Sequence, residues 1–150
     1  MGQVAYSNFQ GVPKTASMIT DLLAYLRADA TLLALLNGDV NNTNIYDVTP
    51  LHTETSPYLL VSISSGGTAA EVLDERLIAI RIVAETEEIA AARTISDRLD
   101  ALLDLQDDLN MSSDNYYVYY GKKVGESDLV EQGRDQVQFL RLFLFKYRAK

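Results

Sequence analysis

The middle of the chain alternates apolar and polar residues and then changes to a helical period. Within the segment 76–84, every second residue from Ile78 to Ile82 is isoleucine, which predicts a strand with one buried face. From Thr86 to Leu105 the apolar residues recur every three or four positions, which predicts an amphipathic helix. Because only Glu85 separates the two segments, we expect the helix to fold back onto the sheet close to this strand. The apolar residues of the predicted helix are Ala91, Ala92, Ile95, Leu99, Leu102 and Leu103.

Two shorter helices are predicted before this unit. Ser17 is a favourable N-cap for a first helix over 18–28, and Asp29 is the expected N-cap of a second helix over 30–36. The Asn-Gly pair at 37–38 is expected to end the second helix. The apolar face of the first helix consists of Met18, Leu22, Leu23, Tyr25 and Leu26.

The remaining apolar segments predict strands. Residues 106–115 are acidic and polar and are expected to form a loop, and the charged stretch 121–133 is expected to be a strand end followed by a mobile loop. The element order is therefore α-α-β-β-β-α-β-β, a single α+β domain with a mainly antiparallel sheet and helices packed on one face. The predicted strands are 45–48, 58–64, 76–84, 116–120 and 136–147.

The last predicted strand is apolar on both faces. Its aromatic residues occupy one face and its leucines the other, whereas a sheet covered on one side normally has a polar second face. The helices can cover only one face, so we expect the other to meet a partner or a second layer. The residues predicted to form a subunit or partner interface are Phe139, Leu140, Leu142, Phe143, Leu144 and Phe145.

Composition fits one domain and excludes several functions. The chain has 150 residues, 47% of them hydrophobic, which suits a single domain over 17–150 with an N-terminal arm over 1–16. A net charge of −8 argues against binding to nucleic acid or an anionic membrane, both of which require clustered cations. The chain has no cysteine, and its apolar runs are too short to cross a bilayer.

The charges divide between two segments. Residues 87–108 contain seven acidic residues and two arginines, whereas residues 134–150 contain five basic residues and one acidic residue. This separation favours head-to-tail packing of identical subunits, and such heterologous contacts close into rings. Asp97, Asp100 and Asp104 lie on one predicted stripe, which predicts an acidic face, although a solvated helix surface explains the same pattern.

No motif identifies a catalytic or cofactor site. His52 has no second imidazole with which to bind a metal, and Ser64–Gly67 lacks the glycine and lysine spacing of a phosphate-binding loop. The tyrosines at 116–120 allow an alternative function as a stacking surface for single-stranded nucleic acid. The helix carboxylates allow another, an enzyme using a divalent metal, but no ligand motif supports it. We therefore expect no enzymatic activity, no catalytic residues, no metal and no cofactor.

The pattern of small elements resembles the tail-terminator, or tail-completion, proteins of phages with long non-contractile tails. The resemblance covers roughly residues 17–148. The segments that carry it are 29–38 (DATLLALLNG), 45–47 (IYD) with Pro50, 56–62 (SPYLLVS), 78–82 (IAIRI), 90–93 (AAAR), 100–103 (DALL) and 137–142 (VQFLRL).

This resemblance implies a structural virion protein that forms a hexameric ring at the head-proximal end of the tail. Its expected partners are the tail tube protein and the head-completion or connector protein, and assembly would occur in the host cytoplasm. DNA would pass through the lumen without specific binding, because acidic residues repel its phosphates. Asp97, Asp100 and Asp104 are the expected lumen-facing acids. Another head–tail connector or a minor tail protein is the alternative within the same assembly.

Overall fold

The computed structural model describes residues 14–47, 56–64, 74–109, 116–130 and 136–149, which form three helices and a six-stranded sheet. The elements in chain order are α1 (Lys14–Arg27), α2 (Ala30–Leu35), β1 (Ile45–Tyr46), β2 (Tyr58–Ser64), β3 (Asp74–Glu85), the 3₁₀ turn (Thr86–Glu88), α3 (Ile89–Leu103), β4 (Gln106–Leu109), β5 (Tyr116–Val130) and β6 (Gln136–Ala149).

The sheet has the strand order β1-β2-β3-β6-β5-β4. β1 runs parallel to β2, and every other neighbouring pair is antiparallel. The longest continuous register joins β3 to β6, from the pair Asp74–Tyr147 to the pair Glu85–Gln136. The α+β class, the single domain and the mainly antiparallel sheet are confirmed, and the predicted element order is confirmed with one additional short strand, β4.

The predicted start of the first helix is wrong, whereas that of the second is confirmed. Helix α1 already begins at Lys14, so Ser17 lies within it and does not cap it. Asp29 caps α2, because its carboxylate accepts a hydrogen bond from the Leu32 backbone N–H at 2.9 Å. The remainder of the predicted arm, residues 1–13, lies outside the described residues.

The end of α2 shows why an Asn-Gly pair follows it. Asn37 has a φ of 55°, in the left-handed region that asparagine and glycine tolerate. The Gly38 N–H then donates to the Leu33 carbonyl at 2.8 Å. A Cβ on Gly38 would lie 2.7 Å from the Asn42 carbonyl oxygen, so the turn leaves no room for a side chain. The predicted termination of α2 at this pair is confirmed.

The abrupt change from β3 to α3 is stabilised by one carboxylate. Glu88 accepts hydrogen bonds from the Glu85 backbone N–H at 3.0 Å and from the Ser56 hydroxyl at 2.8 Å. The first of these bonds is half of a capping box. The helix therefore folds back onto the sheet directly after the strand, as the sequence predicts.

The core lies between the three helices and one face of the sheet. Tyr25 of α1 donates a hydrogen bond to the Leu102 carbonyl of α3, and Arg98 of α3 forms an ion pair with Asp29, which joins the helices into one layer. Residues from the predicted apolar faces of the first helix and of α3 are buried. The core residues that the sheet contributes include Leu59, Val61, Ile78, Ile80, Ile82, Phe139, Phe143 and Phe145, and those of α3 include Ala92, Ile95, Leu99 and Leu103.

Two predicted loops are wrong. Residues 106–109 form β4, which pairs with β5 through Asp107–Tyr120 and Leu109–Val118. The chain reverses sharply after α3 because Leu105 takes a φ of 53°, a conformation that its sequence does not suggest. Strand β5 also continues to Val130 instead of ending near Tyr120, because β6 pairs with it along its length and distant partners neutralise its charges.

Truncation of a buried α3 residue tests the core. Leu99 is fully buried, so Leu99→Ala should lower the free energy of unfolding by about 2–5 kcal/mol, measured by chemical denaturation. Thr94→Ala, on the exposed side of the same helix, should change it by less than about 0.5 kcal/mol. Equal losses in the two variants would contradict the assigned core.

Candidate interaction surfaces

One face of the sheet carries an apolar patch that no described helix covers. We call it the open face and define it by Leu77 and Ala79 of β3 and Leu140, Leu142 and Leu144 of β6, all half-buried. The register places Leu77 opposite Leu144 and Ala79 opposite Leu142, so the five side chains are adjacent on two central strands. A contiguous apolar patch on a sheet is typical of an interaction site.

The six residues of the predicted interface divide between the two faces. Phe139, Phe143 and Phe145 point towards the helices and are buried in the core of the single chain. Leu140 and Leu144, with Leu142 between them, lie on the open face. Only these three leucines are therefore placed to meet a partner without unfolding the chain, and their role in an interface stays a prediction.

Basic side chains border the open face. Because side chains alternate along a strand, Arg81, Lys122 and Lys146 lie on the same side of the sheet as the leucines. Arg81 is paired with Leu140 and Lys122 with Leu144 across neighbouring strands. An acidic residue, Glu75, lies on the same side of the sheet, opposite Lys146. The surface is thus apolar at its centre and predominantly cationic at its edge, in a protein with a net charge of −8.

The tyrosines of the segment 116–120 lie at one end of the same surface. The Arg148 guanidinium lies 6.0 Å from the ring centroid of Tyr117 and 5.7 Å from that of Tyr119. Their two rings are themselves 6.1 Å apart. The arginine therefore occupies the position above these rings that a nucleic acid base would take in a stacking surface. This arrangement favours a structural role for the tyrosines.

The three acids predicted to face a lumen have different surroundings. Asp97 is exposed on the outer side of α3. Asp100 and Asp104 instead contact β5: Asp100 lies 2.8 Å from the Lys123 ammonium, and Asp104 accepts a hydrogen bond from the Lys123 backbone N–H at 2.7 Å. Asp104 lies just beyond the helix end, as its C-cap residue. The lumen assignment of the three acids stays a prediction.

Lys123 connects α3 to the outer half of β5. Its ammonium donates to Asp100 and lies 3.4 Å from Glu126. The hydrogen bond with Asp100 is the main cause that raises the pKa of Lys123 above its ordinary value, with the charges of Asp100 and Glu126 adding to it. The acids near the C-terminus of α3, unfavourable for the helix dipole, thus have a cation and an N–H donor as partners.

Arg141 is a buried cation in the middle of β6. Its exposed fraction is 4%, and its guanidinium donates to the Ser96 hydroxyl of α3 at 2.7 Å and to Asp128 of β5 at 2.6 Å. Glu126 lies 3.4 Å from it. A charge in this position requires such partners, because an unpaired buried guanidinium is strongly unfavourable. Arg141 therefore holds α3, β5 and β6 together, and the sequence shows none of these long-range pairs.

A second ion pair joins the helices. Arg98 contacts Asp29 through two hydrogen bonds, at 2.6 Å and 2.8 Å, while Asp29 also caps α2. The bidentate Arg98 contact is the main cause that lowers the pKa of Asp29 below its ordinary value, and the same contact raises the pKa of Arg98.

Two of the chemical candidates from the sequence fall outside the part of the chain that the structure describes. His52 and the glycines after Ser64 lie outside the described residues. Within the described part of the chain, no group of three or more His, Cys, Asp or Glu side chains is arranged to hold a metal ion. The features that the described residues do bring together are surfaces and ion pairs.

None of the helices in the described ranges combines the length and the apolar character needed to cross a membrane.

Comparison with known proteins finds similarity in structure alone. No protein-family model and no curated protein matches the sequence. A chain of the solved structure entitled "Virion of native gene transfer agent (GTA) particle" aligns with a TM-score of 0.65 and 18% identity, over 85% of this chain and 93% of that chain. A second solved structure aligns with a TM-score of 0.51 and 14% identity, over 93% of this chain and 97% of its own. At these identities the alignments show a shared fold.

Replacement of the buried arginine tests the α3–β5–β6 network. Arg141→Met should lower the free energy of unfolding by about 1–3 kcal/mol, because Ser96 and two carboxylates lose their charged partner. Asp128→Asn should cost less, because the side chain of Asp128 is half exposed and can be hydrated. Urea denaturation of both variants measures the difference, and an Arg141→Met protein as stable as the wild type would contradict this network.

The Asp29–Arg98 pair predicts a pH dependence. Asp29→Asn retains a capping side chain but removes the charge, so it should cost about 1 kcal/mol at pH 7. Because the folded-state pKa of Asp29 is lowered, this stabilisation is present above the unfolded-state pKa, about 3.9, and is lost as the pH falls through the folded-state pKa. Denaturation at pH 7 and at progressively lower pH should therefore show the difference from wild type disappear, whereas a constant difference would contradict this contribution.

Proposed function

We propose that this protein is a structural component of a phage-like virion, a tail terminator that forms a ring at the head-proximal end of the tail tube. The observation that carries this proposal is the fold shared with a chain of a gene transfer agent virion, aligned over 85% of this chain and 93% of that one. Nearly complete coverage of both chains means that the whole domain corresponds, rather than one common supersecondary motif. In this role the protein joins the tube to the head connector and carries out no catalysis.

The surfaces of the chain support an assembly function. A face of the central sheet carries five adjacent apolar side chains that the described helices leave uncovered. Burial of such a patch between subunits gives a favourable contribution of roughly 25 cal/mol per Å². A protein that functions within a permanent assembly can retain such an apolar surface, because the surface is buried against another subunit once the assembly has formed.

The charge of the chain is compatible with DNA passage. A net charge of −8 disfavours attraction of the phosphate backbone, and the helical side presents two exposed acids, Glu87 of the 3₁₀ turn and Asp97 of α3. A ring of this composition would let DNA pass without retaining it. The same property would serve another head–tail connector, so the position of the ring distinguishes the two functions.

The decisive experiment combines the protein with polymerising tail tube protein. A terminator should bind to one end of each tube as a six-membered ring and stop its growth, visible by negative-stain electron microscopy as a narrow distribution of tube lengths. Bovine serum albumin at the same concentration is the control and should leave the length distribution unchanged. Binding to isolated connectors but not to tube ends would instead support a connector protein, and binding to neither would contradict the proposal.

A further inference from the structure

The outer side of α3 is built from small exposed residues. Ala90, Thr94, Asp97 and Ala101 follow the spacing of three or four residues that places side chains on one helix face, and all four are exposed. We call this surface the α3 stripe. Its small side chains allow another surface to approach the helix closely. The opposite side of α3 packs on the sheet, so the stripe faces away from the core.

The open face and the α3 stripe match in size and in charge. The α3 stripe runs for about 17 Å along the helix, from Ala90 to Ala101, and the leucines of the open face extend for about 14 Å along β6. The helical side presents two exposed acids, Glu87 and Asp97, and among the described residues of α3 the exposed cation is Arg93, at the border of the stripe. The cations at the edge of the open face carry the opposite charge.

We infer that the open face of one copy binds the α3 stripe of the next copy, so that identical chains pack head to tail. This inference rests on the proposed ring-forming function and names the two surfaces that form the ring. Pairing of two open faces is disfavoured, because Arg81, Lys122 and Lys146 of both copies would then meet. A contact between two different surfaces repeats from copy to copy and closes into a ring.

This packing changes the role of Asp97. It lies at the centre of the α3 stripe and would contact the cationic edge of the neighbouring open face, instead of facing a lumen. The two roles predict different results for Asp97→Lys. A contact residue predicts weaker assembly, whereas a lumen residue predicts normal assembly with altered passage of DNA.

Two variants of the full-length protein test the pair of surfaces. Leu142→Glu places an acid in the open face, and Ala101→Arg places a long cation on the α3 stripe. Each should raise the concentration for half-assembly at least about a hundredfold in sedimentation velocity, because each buries an unpaired charge. The matched control is Val40→Glu, at a position 84% exposed in the turn after α2, which should assemble as wild type. Circular dichroism and thermal unfolding show whether each variant is folded.

A milder variant keeps the test valid if the first two variants misfold. Lys122→Glu changes an exposed residue at the edge of the open face, so it should fold normally and weaken assembly about tenfold. Assembly of Lys122→Glu, or of folded Leu142→Glu or Ala101→Arg, at the wild-type concentration would overturn the inference. A wild-type chain that remains monomeric would overturn it as well.

Mixing separates head-to-tail packing from other arrangements. Each of the two variants retains one intact surface, so an equimolar mixture of Leu142→Glu and Ala101→Arg should form a 1:1 dimer and no ring. If two open faces pair instead, Ala101→Arg should dimerise alone and the mixture should contain no mixed dimer.

Failure of the inference and failure of the function are distinguishable. Variants that assemble normally and still cap tail tubes overturn the surfaces but leave the terminator function intact. A wild-type protein that assembles through these surfaces but does not cap tubes supports the surfaces and contradicts the terminator function.

Discussion

The pairing of β3 with β6 is the interaction on which the other parts of the molecule depend. These two central strands supply the isoleucines and phenylalanines of the core on one side and the residues of the open face on the other. Because side chains alternate strictly along a strand, a shift of one residue in register would exchange the two sets. The same constraint therefore determines where the helices pack and which apolar residues remain available to another subunit.

Charged residues then connect strands β5 and β6 to the helical layer. Arg141 reaches from β6 to Ser96 on α3 and to Asp128 on β5, and Lys123 connects β5 to Asp100. These contacts explain how a strand rich in glycine and charge can extend so far beyond the edge of the core. Some of the acidic residues at α3 are therefore paired within the chain, whereas Asp97 and most of the acids just before the helix remain exposed on the surface.

The sequence predicts most of the fold because local signals and tertiary packing agree there. The isoleucine alternation of β3, the period of α3, the Asp29 cap and the Asn37–Gly38 turn each act within a few residues. The predictions are wrong where distant residues decide the structure. Strand β4 depends on pairing with β5, and the extension of β5 depends on pairing with β6. The alternation along the last strand separates the phenylalanines from the leucines of the predicted interface. Only the fold shows that the helices cover the phenylalanines, which leaves the leucines on the open face.

The proposed function requires that identical copies of this chain form a ring. Native mass spectrometry of the full-length wild-type protein tests it most directly, because a closed ring of heterologous contacts has one defined mass. A ring-forming chain should give a single dominant species of six copies, without a ladder of intermediate or larger sizes. A protein that remains a monomer at every concentration, or that forms only a two-fold dimer, would contradict it.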